Sequence, residues 1–415
     1  MAFFNKLLGW QPTVLTIERE AGTLEEPEQF EKIPSHIQIE RTRFLRIGGR
    51  KGPAAKADPD VGWVSARLED VEQPPFGRAR RFLGKLVRAL LCFPDCSVGW
   101  IPFGFFRGVR LLRRERFDVI YTTEPPRAGS VIGLLLKMMF RTPWVLEFMD
   151  PWYIRKDAFR RRLEHWLQAI MLRRADAVVV MIEGHAEDLR KRFHVPSEKL
   201  TVVSNGFDEE DFREDHSSGA EICRPGYLHL SHFGTIYPGN SGCFFPALSA
   251  LLSERPELKE RLRVHIVGFP DEIVRRHAQQ DGLREVVELR KFIPQRQVLR
   301  EMHASHCLLL FYGNPEYSRT AVAGKTYVYL RTGRPVLAVT GPGGVEERVE
   351  KAQAGWVVDP NDIGAIKRAL SEVIDCYQTG KPLPSPRPDY VAQFRWDRLA
   401  GDVARVLDKV ARHGG

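Results

Sequence analysis

The chain predicts an α/β fold of two doubly wound, Rossmann-like domains, and three observations carry that prediction. Short β-branched runs alternate with helical stretches nearly throughout, the pattern of a parallel sheet with helices on both faces. At 415 residues the chain is too long for one ordinary core. A polar stretch at 213–226 interrupts the alternation, which then restarts. A composition of 43% hydrophobic and 28% charged residues is that of a soluble globular protein and excludes disordered and fibrous classes.

In order along the chain, apolar runs bounded by turn residues predict strands at 13–17, 37–39, 44–47, 119–123, 144–150, 177–182 and 200–204. After the polar stretch they recur at 227–233, 263–267, 307–312, 335–340 and 356–359. Helical periodicity is clearest at 129–140, 244–252, 295–303, 325–331 and 363–374, and a last amphipathic run covers 397–410. The domains expected are 1–208, 209–390 and a terminal helical segment 391–415 that packs back on the first domain. Residues 48–80, rich in Gly and Pro, read as a functional or mobile loop.

The net charge of +9 favours anionic partners such as nucleotides, phosphorylated lipids or acidic membrane. No basic–aromatic ribonucleoprotein motif, zinc knuckle or helix-turn-helix signature points to nucleic acid. The six cysteines are scattered, and Cys92 and Cys96 lack a second pair to complete a zinc site. This usage suits a reducing cytoplasm. The longest apolar helix carries Lys137 and is too short to span a bilayer, and no signal-peptide pattern is present, so a cytoplasmic protein is expected. Within 77–93, Arg78, Arg81, Lys85 and Arg88 share one helical face and Phe82, Leu83, Leu86 and Leu90 another. A solvated surface helix is the simpler reading; peripheral contact with the anionic inner face of a membrane is the second.

Candidate chemistry concentrates at the carboxyl ends of strands, where open α/β sheets bind ligands. The segment YTTEPPRAGSVIGLLLKMMFRTPWVLEFMDPW reads as strand, Pro-rich turn, helix and strand, and it places Asp150 at such an end. Gly234 and Thr235 follow the first strand of the second half, where small residues let backbone amides approach a phosphate. Gly324-Lys325-Thr326 looks like half a Walker A motif, but Arg319 stands where that loop requires glycine, and the assignment fails. Asn205-Gly206 suits a tight turn needing positive φ. Asp58 and Asp60 read as turn residues, His185 as a polar residue at a helix start, and His165, His194, His229 and His265 lack metal-ligand spacing.

Three ordered blocks, 120–152, 175–212 and 314–362, resemble the family 4 glycosyltransferases of the GT-B fold. They carry, in turn, the Pro-Pro turn with Asp-Pro-Trp, the Asn-Gly-aromatic-Asp turn, and the helix KTYVYL followed by Gly-Arg-Pro and a glycine turn. The resemblance implies a retaining hexosyltransferase of polysaccharide biosynthesis, with a nucleotide-sugar donor bound between two domains and a glycan or lipid-linked acceptor. It implies no cofactor and no metal, since helix amino termini and cations carry the diphosphate charge. Asp150 would face the transferred sugar or the acceptor, and Lys325 the leaving group. Gly234, Thr235, Gly343 and Gly344 would line the donor, while Arg319 is either a second donor cation or a solvated surface charge. Thr320 and Val328 stand where many members carry glutamates, the latter gripping the donor ribose, and neither accepts a hydroxyl as a carboxylate does. The family's first strand and Gly-Gly loop are not found ahead of Gly9-Trp10, which implies a chain shortened at its amino end. The alternatives are a non-catalytic nucleotide-sugar-binding protein of the same fold and a sugar-nucleotide 2-epimerase.

Overall fold

Among the described residues every strand pair is parallel, as expected where helices cover both sheet faces. The computed structural model describes residues 8–18, 33–45, 93–95, 97–152, 158–213, 220–222 and 224–413. The expectations for 3–7, 48–80 and 77–92, for Asp58, Asp60, Cys92 and Cys96, and for half of 213–226 lie outside these residues.

The chain falls into two compact units, one reaching Val203 and including Ala400–Gly415, the other Ser204–Leu399. The first contains β1 (Thr13–Ile17), β2 (Gln38–Thr42), α1 (Ile101–Arg114), β3 (Ile120–Glu124), α2 (Arg127–Phe140), β4 (Trp144–Phe148), α3 (Ala158–Arg174), β5 (Ala177–Val180), α4 (Glu183–Phe193) and β6 (Leu200–Val202). Strands β3-β4-β5-β6 form one sheet in that order, and β1-β2 form a separate pair. Among the described residues one strand, β2, stands at the place of that expected at 37–39, and of the strand expected at 44–47 only 44 and 45 are described. The register of β2 with β1 runs from Thr13↔Gln38 to Ile17↔Thr42, and Phe44 and Leu45 lie beyond it. The strand expected at 144–150 stops at Phe148, which leaves Asp150 in the turn.

The second unit contains β7 (Leu228–Thr235), α5 (Phe244–Glu254), β8 (Leu262–Phe269), α6 (Glu272–Ala278), β9 (Val287–Arg290), α7 (Gln295–Ala304), β10 (Cys307–Tyr312), α8 (Pro315–Ser318), α9 (Lys325–Arg331), β11 (Val336–Thr340), α10 (Gly344–Lys351), β12 (Gly355–Val358), α11 (Ile363–Thr379) and α12 (Pro388–Val391). The sheet order is β12-β11-β10-β7-β8-β9, a doubly wound arrangement that grows outward from β7 and β10. Successive residues of β10 face opposite ways. Leu309 and Phe311 join the layer beneath α5 and α11, while Leu308 and Leu310 join the layer with Tyr327, Tyr329 and Val349. Strand β9, which the sequence did not suggest, is a half-exposed edge strand reading Val-Glu-Leu-Arg, with no apolar run to betray it. The last helix, α13 (Trp396–His413), carries Asp408, which accepts from Trp10 Nε1 at 3.1 Å within the first unit.

Gly206 does not have positive φ, contrary to the expectation for the Asn-Gly turn. Glycine is needed there for closeness instead: a Cβ would lie 2.0 Å from the Phe394 carbonyl oxygen, and the same oxygen accepts from Phe207 N at 3.1 Å.

On β7 and β8, His229 and His265 are buried with Nδ1 and Nε2 3.0 Å apart, and His306 Nδ1 accepts from the His229 amide at 3.0 Å. Burial lowers the pKa of all three, that of His265 to about 3 and that of His306 to about 4; Glu288, Arg224 and Arg263 complete the charged surroundings. In the unfolded chain these rings protonate near pH 6.5. Between that pH and the folded values the unfolded state binds the extra protons, so stability is full above about pH 6.5 and falls as pH drops. Each ring still neutral in the folded chain contributes a slope of about 1.4 kcal/mol per pH unit. Denaturant midpoints from pH 7 to 4.5 are expected to fall, and to fall less steeply in His265→Asn. Parallel curves for the two proteins would disprove the assignment.

Candidate active site

The second unit gathers its chemistry at the carboxyl ends of β7, β8, β10 and β11. In β7, Gly234 and Thr235 end the strand, Gly234 with φ +102°. Neighbouring Gly268 of β8, in register with Gly234, has φ +122° and would place a Cβ 2.7 Å from the Gly234 oxygen. Two adjacent strands thus end in bare backbone. Gly268 is not among the sequence-predicted residues, although Val-Gly-Phe-Pro after an apolar run is a detectable signal.

Lys325 opens α9, as the sequence predicted, and its side chain reaches back over this turn. Its Nζ lies 3.2 Å from His232 Nε2 and 3.5 Å from the Thr235 carbonyl oxygen, and a Cβ on Gly234 would come within 3.0 Å of it. Burial lowers the Lys325 pKa to about 7. A second tie holds α9 to β7, since the Phe233 amide donates to Tyr329 Oη at 2.8 Å. The predicted trio Gly234, Thr235 and Lys325 is therefore brought together.

Arg319, Gly343 and Gly344 form another corner of the same edge. Gly343 has φ +149° and packs on the Ser318–Arg319 backbone, while the Arg319 side chain is exposed. The Gly343 amide donates to Glu346 Oε2 at 3.0 Å, so that amide is already satisfied at the start of α10. Gly344 is buried as the first residue of that helix. Val328, one turn after Lys325, packs against the apolar layer, and the Thr320 amide donates to Tyr317 O at 3.0 Å.

In the first unit Asp150 is exposed in the turn after β4, and desolvation raises its pKa. Its neighbour Glu124, at the end of β3, is not among the sequence-predicted residues. The Glu124 carbonyl accepts from Met149 N at 3.0 Å, and its carboxylate accepts from the buried indole N–H of Trp152. The turn bearing Asp150 is thus tied to β3 on both sides. Burial raises the Glu124 pKa to about 7, an effect that Ser130, Trp152 and Arg127 only partly offset. The Arg127 guanidinium stacks 4.2 Å over the Trp152 ring and pairs with Glu164 at 3.0 Å. A carboxylate ending an apolar strand before a Pro-Pro turn was the available signal. His185 is buried edge-on to Phe148, its pKa lowered by burial to about 4, so it is a neutral packing residue. Among the described residues no group of His, Cys, Asp and Glu is placed to share a metal ion, and no helix is long and apolar enough to cross a membrane.

Two family models match the chain: a Glycosyl transferase 4-like domain over residues 8–206 and Glycosyl transferases group 1 over residues 234–376. The chain is similar to D-inositol 3-phosphate glycosyltransferase from Streptomyces scabiei, 25% identical over 57% of this chain and 54% of the relative. The protein of that name from Thermobispora bispora is 26% identical over 57% of this chain and 58% of its own. The chain thus spans about half the length of these curated relatives. In fold it is similar to sucrose-phosphate synthase from Thermosynechococcus elongatus, with TM-score 0.65 and 15% identity over 99% of this chain and 92% of that one. Anabaena HepE in complex with UDP-glucose has TM-score 0.53 and 14% identity over 97% and 98%. Two matched domains in sequence order, each built on a parallel Rossmann-like sheet, place the chain in the family 4 glycosyltransferases of the GT-B fold.

Proposed function

We propose that this chain transfers a sugar from a nucleotide-sugar to a polysaccharide or lipid-linked acceptor, with retention of configuration and without a metal. The observation that carries the reading is the Lys325 ammonium lying over the Gly234–Thr235 turn. A cation and backbone without side chains meet there at the carboxyl edge of a parallel sheet, where a diphosphate leaving group would need compensation as its charge grows. Anabaena HepE, of similar fold, was solved with UDP-glucose, which supports a nucleotide-sugar as donor. Gly343, Gly344 and the exposed Arg319 border the same edge, and Arg319 would turn toward a phosphate there. Asp150, held by Glu124 and Trp152, would face the transferred sugar or the acceptor.

A thermal-shift series with UDP, GDP, ADP and UDP-glucose tests this. A ligand at 100 times its dissociation constant stabilises by about 2.7 kcal/mol, a readily measured rise in melting temperature. At least one nucleoside diphosphate is expected to produce it, and no response to any would defeat the reading. A second reading, a binding protein of the same fold without turnover, is favoured by Val328. Its side chain packs into the apolar layer where a ribose-gripping carboxylate is absent. Stabilisation by UDP-glucose without release of UDP during prolonged incubation with glycan acceptors would select it.

A further inference from the structure

An ammonium group has three N–H donors. At Lys325 two of them meet acceptors, His232 Nε2 at 3.2 Å and Thr235 O at 3.5 Å, and among the described residues no carboxylate pairs with it. His232 is fully buried in β7 and stacks on Phe311 with ring centroids 5.0 Å apart. Its Nδ1 lies 3.0 Å from the Leu309 carbonyl oxygen. A carbonyl only accepts, so the 3.0 Å contact assigns the single ring proton to Nδ1 and leaves the Nε2 lone pair to Lys325, with the Thr235 carbonyl as the competing acceptor on that side of the ring. Burial, reinforced by the Lys325 charge, pushes the His232 pKa well below the ordinary imidazole range, so the ring stays neutral.

We propose that His232 is the positioning residue of this anion site, its neutral Nε2 holding the protonated Lys325 side chain over the Gly234–Thr235 turn so that one N–H and a charge uncancelled by any carboxylate face a diphosphate oxygen. A carboxylate in that place would orient the lysine equally well but cancel the charge the ligand needs. A neutral acceptor orients without neutralising. It also removes ordering entropy in advance, which for a free lysine side chain is among the largest of any residue. The inference rests on the reading of this edge as a nucleotide-diphosphate site.

Two substitutions separate the two bonds of the ring. His232→Asn keeps a donor near the Nδ1 position for Leu309 and offers nothing at Nε2; His232→Gln keeps an acceptor within reach of Lys325. Calorimetric titration with UDP is expected to show roughly tenfold weaker binding for His232→Asn and a change of less than about threefold for His232→Gln. In a Lys325→Ala background neither substitution should add more than about threefold, because interacting residues give non-additive effects. Unchanged binding in His232→Asn, or an equal loss with and without Lys325, overturns the proposal. If Lys325→Ala itself leaves UDP affinity unchanged, the donor-site reading fails instead. Nitrogen-15 NMR of the histidine-labelled parent provides a check that needs no variant to fold: His232 is expected as the neutral Nδ1–H tautomer, and an Nε2–H tautomer or an imidazolium at pH 7 overturns it.

Discussion

Replacing Lys325 by alanine is expected to weaken UDP binding by one to two orders of magnitude. The Lys325 Nζ lies 3.5 Å from the Thr235 carbonyl oxygen and beside Gly234. A charge-assisted hydrogen bond in a partly desolvated site contributes roughly 1.5–3 kcal/mol, and 1.4 kcal/mol is a factor of ten. The pH dependence has a definite sign. Burial sets the Lys325 pKa at about 7, and a bound diphosphate would raise it by favouring the ammonium. Binding then takes up a proton, and affinity falls by up to about tenfold per pH unit as pH rises above 7 toward the higher bound-state value. Phosphate groups, with a second pKa near 6, are fully ionised in that range and add no slope. Titrations of the parent and of Lys325→Ala at pH 7, 8 and 9 test both statements. A parent affinity that is flat over this range, or a variant with the same slope, would place the relevant cation elsewhere.

Gly343→Ala is expected to be the most damaging single-methyl change on this edge of the second unit. The added Cβ would lie 1.8 Å from the Ser318 carbonyl oxygen and 2.9 Å from Arg319 N, and φ is +149°. Both obstacles are backbone, so no rotamer change relieves them. Strained backbone costs about 1–3 kcal/mol, and combined with steric conflict the loss should be on the order of 3–5 kcal/mol. Any relaxation that saves the fold must move the Ser318–Arg319 loop, so surviving protein should also bind UDP less well. Gly129→Ala in α2 is the control: its Cβ would meet Trp100 at an ordinary 3.5 Å, and alanine suits a helix better than glycine. Urea unfolding of both proteins decides. A Gly343→Ala midpoint within error of the parent would mean that the loop yields easily and that Gly343 is not required by packing.

Much of this architecture was legible because buried parallel strands must be apolar on both faces. The runs at β5, β7, β10 and β11 announce themselves, and α9 was placed to the residue by its Lys-x-Tyr-x-Tyr-Leu pattern. Where one side of a strand meets water the signal fades, as in β9. The site divides in the same way. Gly234, Thr235, Lys325 and Asp150 stand at strand ends and helix starts, positions that follow from element boundaries. Glu124 and His232 lie within or at the end of apolar strands and look like interruptions in a core pattern.

By itself the sequence determined the α/β class, the order of the elements and the turns where ligands would meet backbone, because hydrophobic periodicity and turn chemistry are local properties. Only the tertiary structure decided which groups meet. His232 and Lys325 are 93 residues apart yet share a hydrogen bond, and Glu124 and Trp152, 28 apart, are joined across neighbouring strands. It also decided charge state. The neutral His232, the Lys325 pKa near 7 and the raised Glu124 all arise from burial, which no residue carries in its own identity and which depends on what the rest of the chain packs around it.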